Sequence, residues 1–295
     1  MIIVRLTGGL GNQLFQYAIG KALSIISNEK MLFDVSSYTW DKLRNYELGI
    51  FNLSIDLADS IDVKKIQEAS PFIIDRIKYK VLRKSIPYYR FPVLKEQSFN
   101  FDLNYSNFRN RYVYLEGYWQ SENYFKHIKQ LILNDLKLDD RILSNEMKAY
   151  QQVIERSNSS VSLHIRRGDY ISNPTTTAFH GVCDLGYYDK AMSTIEKHIE
   201  NPIYFVFSDD KEYVKEVFAH KKNMIIIEDV SMDYEELILM SMCKHNIIAN
   251  SSFSWWGAWL NQHKDAIRIA PKKWFNDPLM QLQTKDILPD CWYKI

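Results

Sequence analysis

Hydrophobic residues along the chain form two kinds of run, short β-branched blocks and stretches with helical spacing, and the two alternate. Ile2-Ile3-Val4-Arg5-Leu6 predicts a buried strand. Thr7-Gly8-Gly9-Leu10-Gly11-Asn12 follows as a tight turn, and from residue 13 to about 26 the apolar residues Leu14, Phe15, Ala18, Ala22, Leu23 and Ile26 recur at helical spacing. Residues 31–35 predict a second strand, so the chain opens with a βαβ unit. From 59 to 111 the pattern is patchy and predicts an irregular, partly helical insertion. Residues 112–115 predict a strand, 122 to about 136 a helix, and 141 to about 156 a helix with alternating charge on its outer face.

The second half is more regular. Strands are predicted at 160–165, 203–207, 224–227, 246–249 and 267–270, with helices between them. One of these, after residue 252, is read as amphipathic through Trp255, Trp256 and Leu260. Strands alternating with helices imply parallel sheets covered on both faces. The expected fold class is α/β, with two Rossmann-like lobes, a cleft between them and a boundary near residue 155.

Composition narrows the function. The 295 residues are 46% hydrophobic and 25% charged, enough for an ordinary core. Lys plus Arg is 37 against 36 for Asp plus Glu, so no basic excess points to nucleic acid. No apolar run approaches the roughly 20 residues of a membrane span, and Met1 to Leu6 does not read as a signal peptide. The expectation is a cytoplasmic protein with no integral membrane segment. Cys183, Cys243 and Cys291 are too widely spaced for a disulfide framework or a zinc site.

Four polar clusters fall where predicted strands end, the usual ligand-binding edge of open α/β sheets. Gly8-Gly9-Leu10-Gly11-Asn12-Gln13 is neither a dinucleotide fingerprint nor a P-loop, yet such a turn lets backbone approach a ligand closely; equally, it is a plain strand-to-helix turn. His164-Ile165-Arg166-Arg167-Gly168-Asp169 offers two planar, permanently charged forks suited to phosphate, with Asp169 near enough to orient one; the alternative is a structural Arg–Asp pair. In Ser208-Asp209-Asp210 a carboxylate suits guanine, a metal or a helix cap. Asn250-Ser251-Ser252-Phe253-Ser254 places hydroxyls and free N–H groups at a helix start, which suits a phosphate. D-x-D, H-E-x-x-H, G-x-S-x-G and paired C-x-x-C are absent, so arginines and helix dipoles are expected to supply positive charge, with no metal and no cofactor.

In this order the clusters resemble the α-1,2-fucosyltransferases of glycosyltransferase family eleven. The likeness runs from Gly8 to Ala18, through Gly117-Tyr118-Trp119-Gln120-Ser121-Glu122, His164 to Tyr170 and Phe207 to Asp210, to Asn250 to Leu260. It implies a GT-B-like fold and metal-independent, inverting transfer from GDP-β-L-fucose to the 2-hydroxyl of a terminal β-galactoside. Residues 1–155 would be the acceptor-side lobe. Residues 156–295 would bind the donor, with the last twenty or so packing back on the first lobe. The related α-1,6- and protein O-fucosyltransferases share the His-x-Arg-Arg pattern; by that likeness Arg166 grips the diphosphate, and Asn12 matches an asparagine of the protein O-fucosyltransferases that lies close to the reacting sugar. His164 and one of Asp209 and Asp210 face guanine, while Ser251 and Ser252 bind phosphate. Gly9, Gly11, Arg167, Asn250 and Phe253 complete the donor set, and Trp119, Gln120 and Glu122 the acceptor set.

The general base stays open among Asp169, Glu116 and Glu122, and Trp119 reads equally as a sugar platform or a core residue. Two other readings remain beside this one: a fucosyltransferase of another linkage or acceptor, and a catalytically silent sugar-nucleotide or glycan-binding protein.

Overall fold

The computed structural model describes residues 1–51, 53–59, 63, 77, 80–82, 93–105, 113–172 and 174–295, without the side chains of Asp169 and residues 172–176. Most of the expected insertion at 59–111 lies outside the described residues. The chain forms two compact units, Met1–Asp135 and Leu136–Ile295.

In the first unit, β1 (Ile2–Arg5), β2 (Met31–Asp34), β3 (Val93–Lys95) and β4 (Val113–Glu116) make a parallel sheet in the order β2-β1-β4-β3. Ile2, Ile3 and Val4 are buried and β-branched, which suits a strand covered on both faces. Helix Leu10–Ser27 connects β1 to β2 and buries a broad face that includes Leu14, Phe15, Ala18, Ala22 and Leu23. It starts at Gly9 and ends at Asn28, whose left-handed backbone lets its N–H reach the carbonyl of Ile25. Sheet order reverses direction between β1 and β4, so the turns after these two strands meet at one edge.

In the second unit, β5 (Ser160–Ile165), β6 (Ile203–Ser208), β7 (Met224–Ile226), β8 (His245–Ile247), β9 (Arg268–Ala270) and β10 (Tyr293–Lys294) form a second parallel sheet, in the order β10-β9-β8-β5-β6-β7. Renumbered from β5 and read from its far edge, this is the 3-2-1-4-5-6 order of a Rossmann sheet. The switch point lies between β5 and β8. Val161, Leu163 and Ile165 pack with Tyr204, Val206, Ile247 and Ile269 in one core.

Helix Asn145–Arg156 belongs with the second unit, ahead of the break the pattern places near 155. Ser144 caps it by accepting from the Met147 N–H, and the Ser144 N–H and hydroxyl both donate to Glu235. The last residues, expected on the first lobe, extend the second sheet as β10, and Trp292 packs on Trp255 with ring centres 5.6 Å apart. Helix Ser252–Leu260 is not amphipathic as expected: every residue from Ser254 to Leu260 is buried, and the Trp255 indole donates to the carbonyl of Ile287. Among the described residues no helix is long and apolar enough to cross a membrane.

Candidate active site

All strands of the second sheet run parallel, so His164, Arg166, Asp209 and Asn250 emerge at the same edge. Pairing of Ile165 with Ser208 puts the two charged motifs side by side. Arg166 Nη1 lies 3.1 Å from Asp209 Oδ2, and Arg167 Nε lies 3.1 Å from Asp210 Oδ2. The other Asp209 oxygen accepts the backbone N–H of Arg167 at 2.8 Å. Asp210 also caps the helix Lys211–Phe218 by accepting from the Tyr213 N–H, and the Tyr213 ring lies 3.5 Å beneath the Arg167 guanidinium. The two forks are therefore each oriented by a different aspartate of the β6 motif. The side chain of Asp169, expected in that role, lies outside what the structure describes.

Gly168 makes this arrangement fit. A Cβ there would stand 2.5 Å from Asp209 Oδ2. His164, 3% exposed, flanks the switch point with its ring 5.7 Å from that of Phe253. Its Nδ1 is buried with no hydrogen-bond partner, and burial, followed by the Arg166 and Lys211 charges, lowers its pKa to about 3. The ring is neutral at physiological pH.

Ser251 is the N-cap of helix Ser252–Leu260 and accepts from the Phe253 N–H at 3.3 Å, leaving Ser252 half-buried beside it. Asn250 has a different occupation. Its amide donates to the carbonyls of His180, Gly181 and Trp274, and its oxygen faces the Cys183 thiol, so this side chain ties loops together.

In the first unit, Gly8 takes a positive φ of 78°, and a Cβ there would meet Asn12 Nδ2 at 2.5 Å. Asn12 Oδ1 accepts from Gln120 Nε2 at 2.8 Å, which joins the turns after β1 and β4. A Cβ at Gly9 would meet the Arg44 side chain at 3.6 Å, while Gly11 is buried in the first helical turn. Gln13 and Tyr38 stitch the turn to the segment after β2: Gln13 Nε2 donates to the carbonyls of Gly8 and Asn45, and the Tyr38 hydroxyl to that of Gly8.

Trp119 is 2% exposed, edge-on to Tyr124, with a φ of 59°. It is a core residue, not a sugar platform. Glu122 lies half-buried in the 3₁₀ turn Glu122–Tyr124 capped by Ser121, and Glu116 is engaged by both Arg5 and Lys95. A carboxylate that sequence reasoning missed is Glu96, which accepts the backbone N–H groups of Tyr118 and Trp119 at 2.7 and 2.9 Å. Gly117 was the available signal, since a Cβ there would stand 2.4 Å from that of Glu96.

Two parallel α/β sheets, one of them in Rossmann order with paired arginines at its carboxyl edge, give the chain a GT-B-like fold. The chain belongs to glycosyl transferase family 11, which matches it over residues 1–295. It is 35% identical over 291 residues to the O-antigen biosynthesis glycosyltransferase WbnK of Escherichia coli, covering 92% of this chain and 93% of that one. It is also 35% identical over 307 aligned positions to an alpha-1,2-colitosyltransferase of Escherichia coli, covering 100% and 99%. Among solved structures, POFUT1 in complex with GDP-fucose matches with a TM-score of 0.51 at 13% identity, covering 91% of this chain and 97% of that one. The resemblance read from the motifs is thus borne out at the level of family and fold.

Proposed function

We propose that the protein transfers L-fucose from GDP-β-L-fucose, with inversion and without a metal, to the 2-hydroxyl of a terminal β-galactoside on a cytoplasmic glycan precursor. The observation that carries this reading is the pair Arg166 and Arg167, each held by its own aspartate at the carboxyl edge of the Rossmann-type sheet. Breaking the bond between sugar C1 and the β-phosphate oxygen leaves negative charge on the diphosphate. Guanidinium groups already fixed in place stabilise that charge without reorganising. The acceptor oxygen attacks C1 from the opposite face and gives up its proton to a carboxylate base, for which Asp169, Glu116 and Glu122 are the candidates. Neutral, unpartnered His164 Nδ1 at the switch point suits recognition of a base edge.

The GDP-fucose named with POFUT1 and the α-1,2 linkage named for the colitosyl relative both support this assignment. That relative also favours a second reading, in which the donor sugar is colitose, which is L-fucose without its 3-hydroxyl. The test is to offer GDP-fucose and GDP-colitose in parallel to a β-galactoside and to determine the product linkage by NMR. Fucose on O2 supports the first reading; colitose transfer alone supports the second. GDP release that does not depend on a galactoside would remove the acceptor assignment.

A further inference from the structure

Glu96 sits just past β3, in a segment that carries no recognisable motif, and it is built into the edge where Asn12 and Gln120 meet. Its own N–H extends the ladder between β3 and β4 by donating to the Glu116 carbonyl at 2.9 Å. Its carboxylate then turns onto the loop that leaves β4. Oε2 accepts the Tyr118 N–H at 2.7 Å and Oε1 the Trp119 N–H at 2.9 Å. Two successive backbone donors that point the same way match the two oxygens of an ionised carboxylate and no neutral side chain.

The loop needs such a clamp. Trp119 is held in the left-handed region, a strained backbone conformation for a bulky residue. Gly117 leaves the room for Glu96 to lie against it, and Gln16 holds the Gly117 carbonyl from the other side at 3.0 Å. The residue that follows the clamped pair is Gln120, whose amide donates to Asn12.

We propose that Glu96 is a positioning residue: by fixing the backbone at Tyr118 and Trp119, its carboxylate sets Gln120 against Asn12 in the geometry that transfer requires. This rests on the reading of Asn12 as lying beside the reacting sugar. The clamp depends on charge, because a protonated carboxyl turns one acceptor into an O–H that faces an N–H and breaks one of the two bonds. Burial pushes the Glu96 carboxyl up to about 7, against the two N–H groups that pull it down. The charged and titratable groups around it are Tyr118 on the loop, Arg5 on β1, Lys95 on β3, Glu116 on β4, and Tyr38 and Asp41 after β2. Arg5 and Lys95 are both turned to Glu116.

The experiment has two arms on the full chain. In the first, the backbone amide resonances of Tyr118 and Trp119 are followed against pH in the wild-type protein and in Glu96→Gln. Both should move together with a midpoint near 7 in the wild type, and that movement should vanish in the variant. Amides that do not respond to a titration of Glu96 anywhere between about pH 3 and 9 in the wild type overturn the proposal whether or not any variant folds.

In the second arm, transfer is measured against pH. Glu96→Gln should lower kcat by about tenfold or more, abolish the acid limb near 7 and leave GDP affinity unchanged. Glu96→Asp should recover part of the rate. Gln120→Ala should cost little more once Glu96→Gln is present, because both act through one link. Additive losses, or an unchanged acid limb, would overturn the positioning role. A wild-type protein that transfers neither fucose nor colitose would defeat the functional reading instead, while the amide titration still decides the clamp.

Discussion

Asp209 holds Arg166 and the backbone of Arg167 with one carboxylate, Oδ2 on the guanidinium at 3.1 Å and Oδ1 on the N–H at 2.8 Å. The strand end of β5 is thereby locked to that of β6, and the fork cannot swing freely between rotamers. Pre-orientation of this kind is what makes a cation effective in a transition state.

Arg166→Ala should therefore lower kcat/KM by about 10²–10³ and weaken GDP binding. Folded stability should change by no more than about 1–2 kcal/mol, since Asp209 keeps the Arg167 N–H. Gly168→Ala should act in the same direction by displacing Asp209, because the new Cβ stands 2.5 Å from Oδ2. Steady-state kinetics, GDP titration calorimetry and urea denaturation check the set. Normal kinetics in Arg166→Ala would remove the diphosphate assignment.

Trp119 makes the opposite kind of prediction. A buried tryptophan packed edge-on against Tyr124 contributes to folding, so Trp119→Ala should destabilise the protein by about 3–5 kcal/mol. Urea denaturation reads this directly. A stable variant with a selectively raised acceptor KM would return Trp119 to the sugar.

The contrast between these two residues shows what was legible beforehand. Strand ends followed by polar clusters were readable because β5 and β6 are six-residue buried runs with an abrupt change of character after them. Whether Trp119 stacks on a ligand or fills the core cannot be read from residue type, since the same indole serves both. The motif alone assigns Asn250 to the donor, and the sequence carries no sign of its loop-tying role because its partners, at 180, 181 and 274, are far away along the chain. Glu96 was invisible for a related reason: β3 is a three-residue edge strand with Val93 exposed, too short and too mixed to show a period. The helix Ser252–Leu260 looked amphipathic because the residues that cover its second side, Met240, Ile287 and Trp292, come from distant elements.

Metal dependence follows from the same ion pairs. Among the described residues, Asp209 and Asp210 bring carboxylates to the Rossmann edge, and each is engaged by an arginine. Transfer should proceed in EDTA at a rate within about twofold of that without it. An absolute requirement for Mg²⁺ or Mn²⁺ would mean that one of these pairs opens when donor binds.

Stability should depend on pH through one buried group, His164, and one half-buried group, Glu96, that pull in opposite directions. The pKa of His164 is lowered from 6.5 to about 3, so the folded state binds fewer protons there than the unfolded chain. Its contribution is present above pH 6.5 and is lost as pH falls toward 3. The pKa of Glu96 is raised from 4.5 to about 7, so its contribution is present below pH 4.5 and is lost as pH rises through 7. Between pH 4.5 and 6.5 the two slopes oppose each other, and the wild-type curve should be flatter there than either group alone would make it. His164→Gln should remove the acid-side loss, and Glu96→Gln the loss on going from acid to neutral. The groups belong to different units, so the effects should add in the double variant. Urea denaturation at intervals from pH 4 to 8 separates them, and a His164→Gln slope equal to that of the wild type would show that this imidazole is not held neutral by its burial.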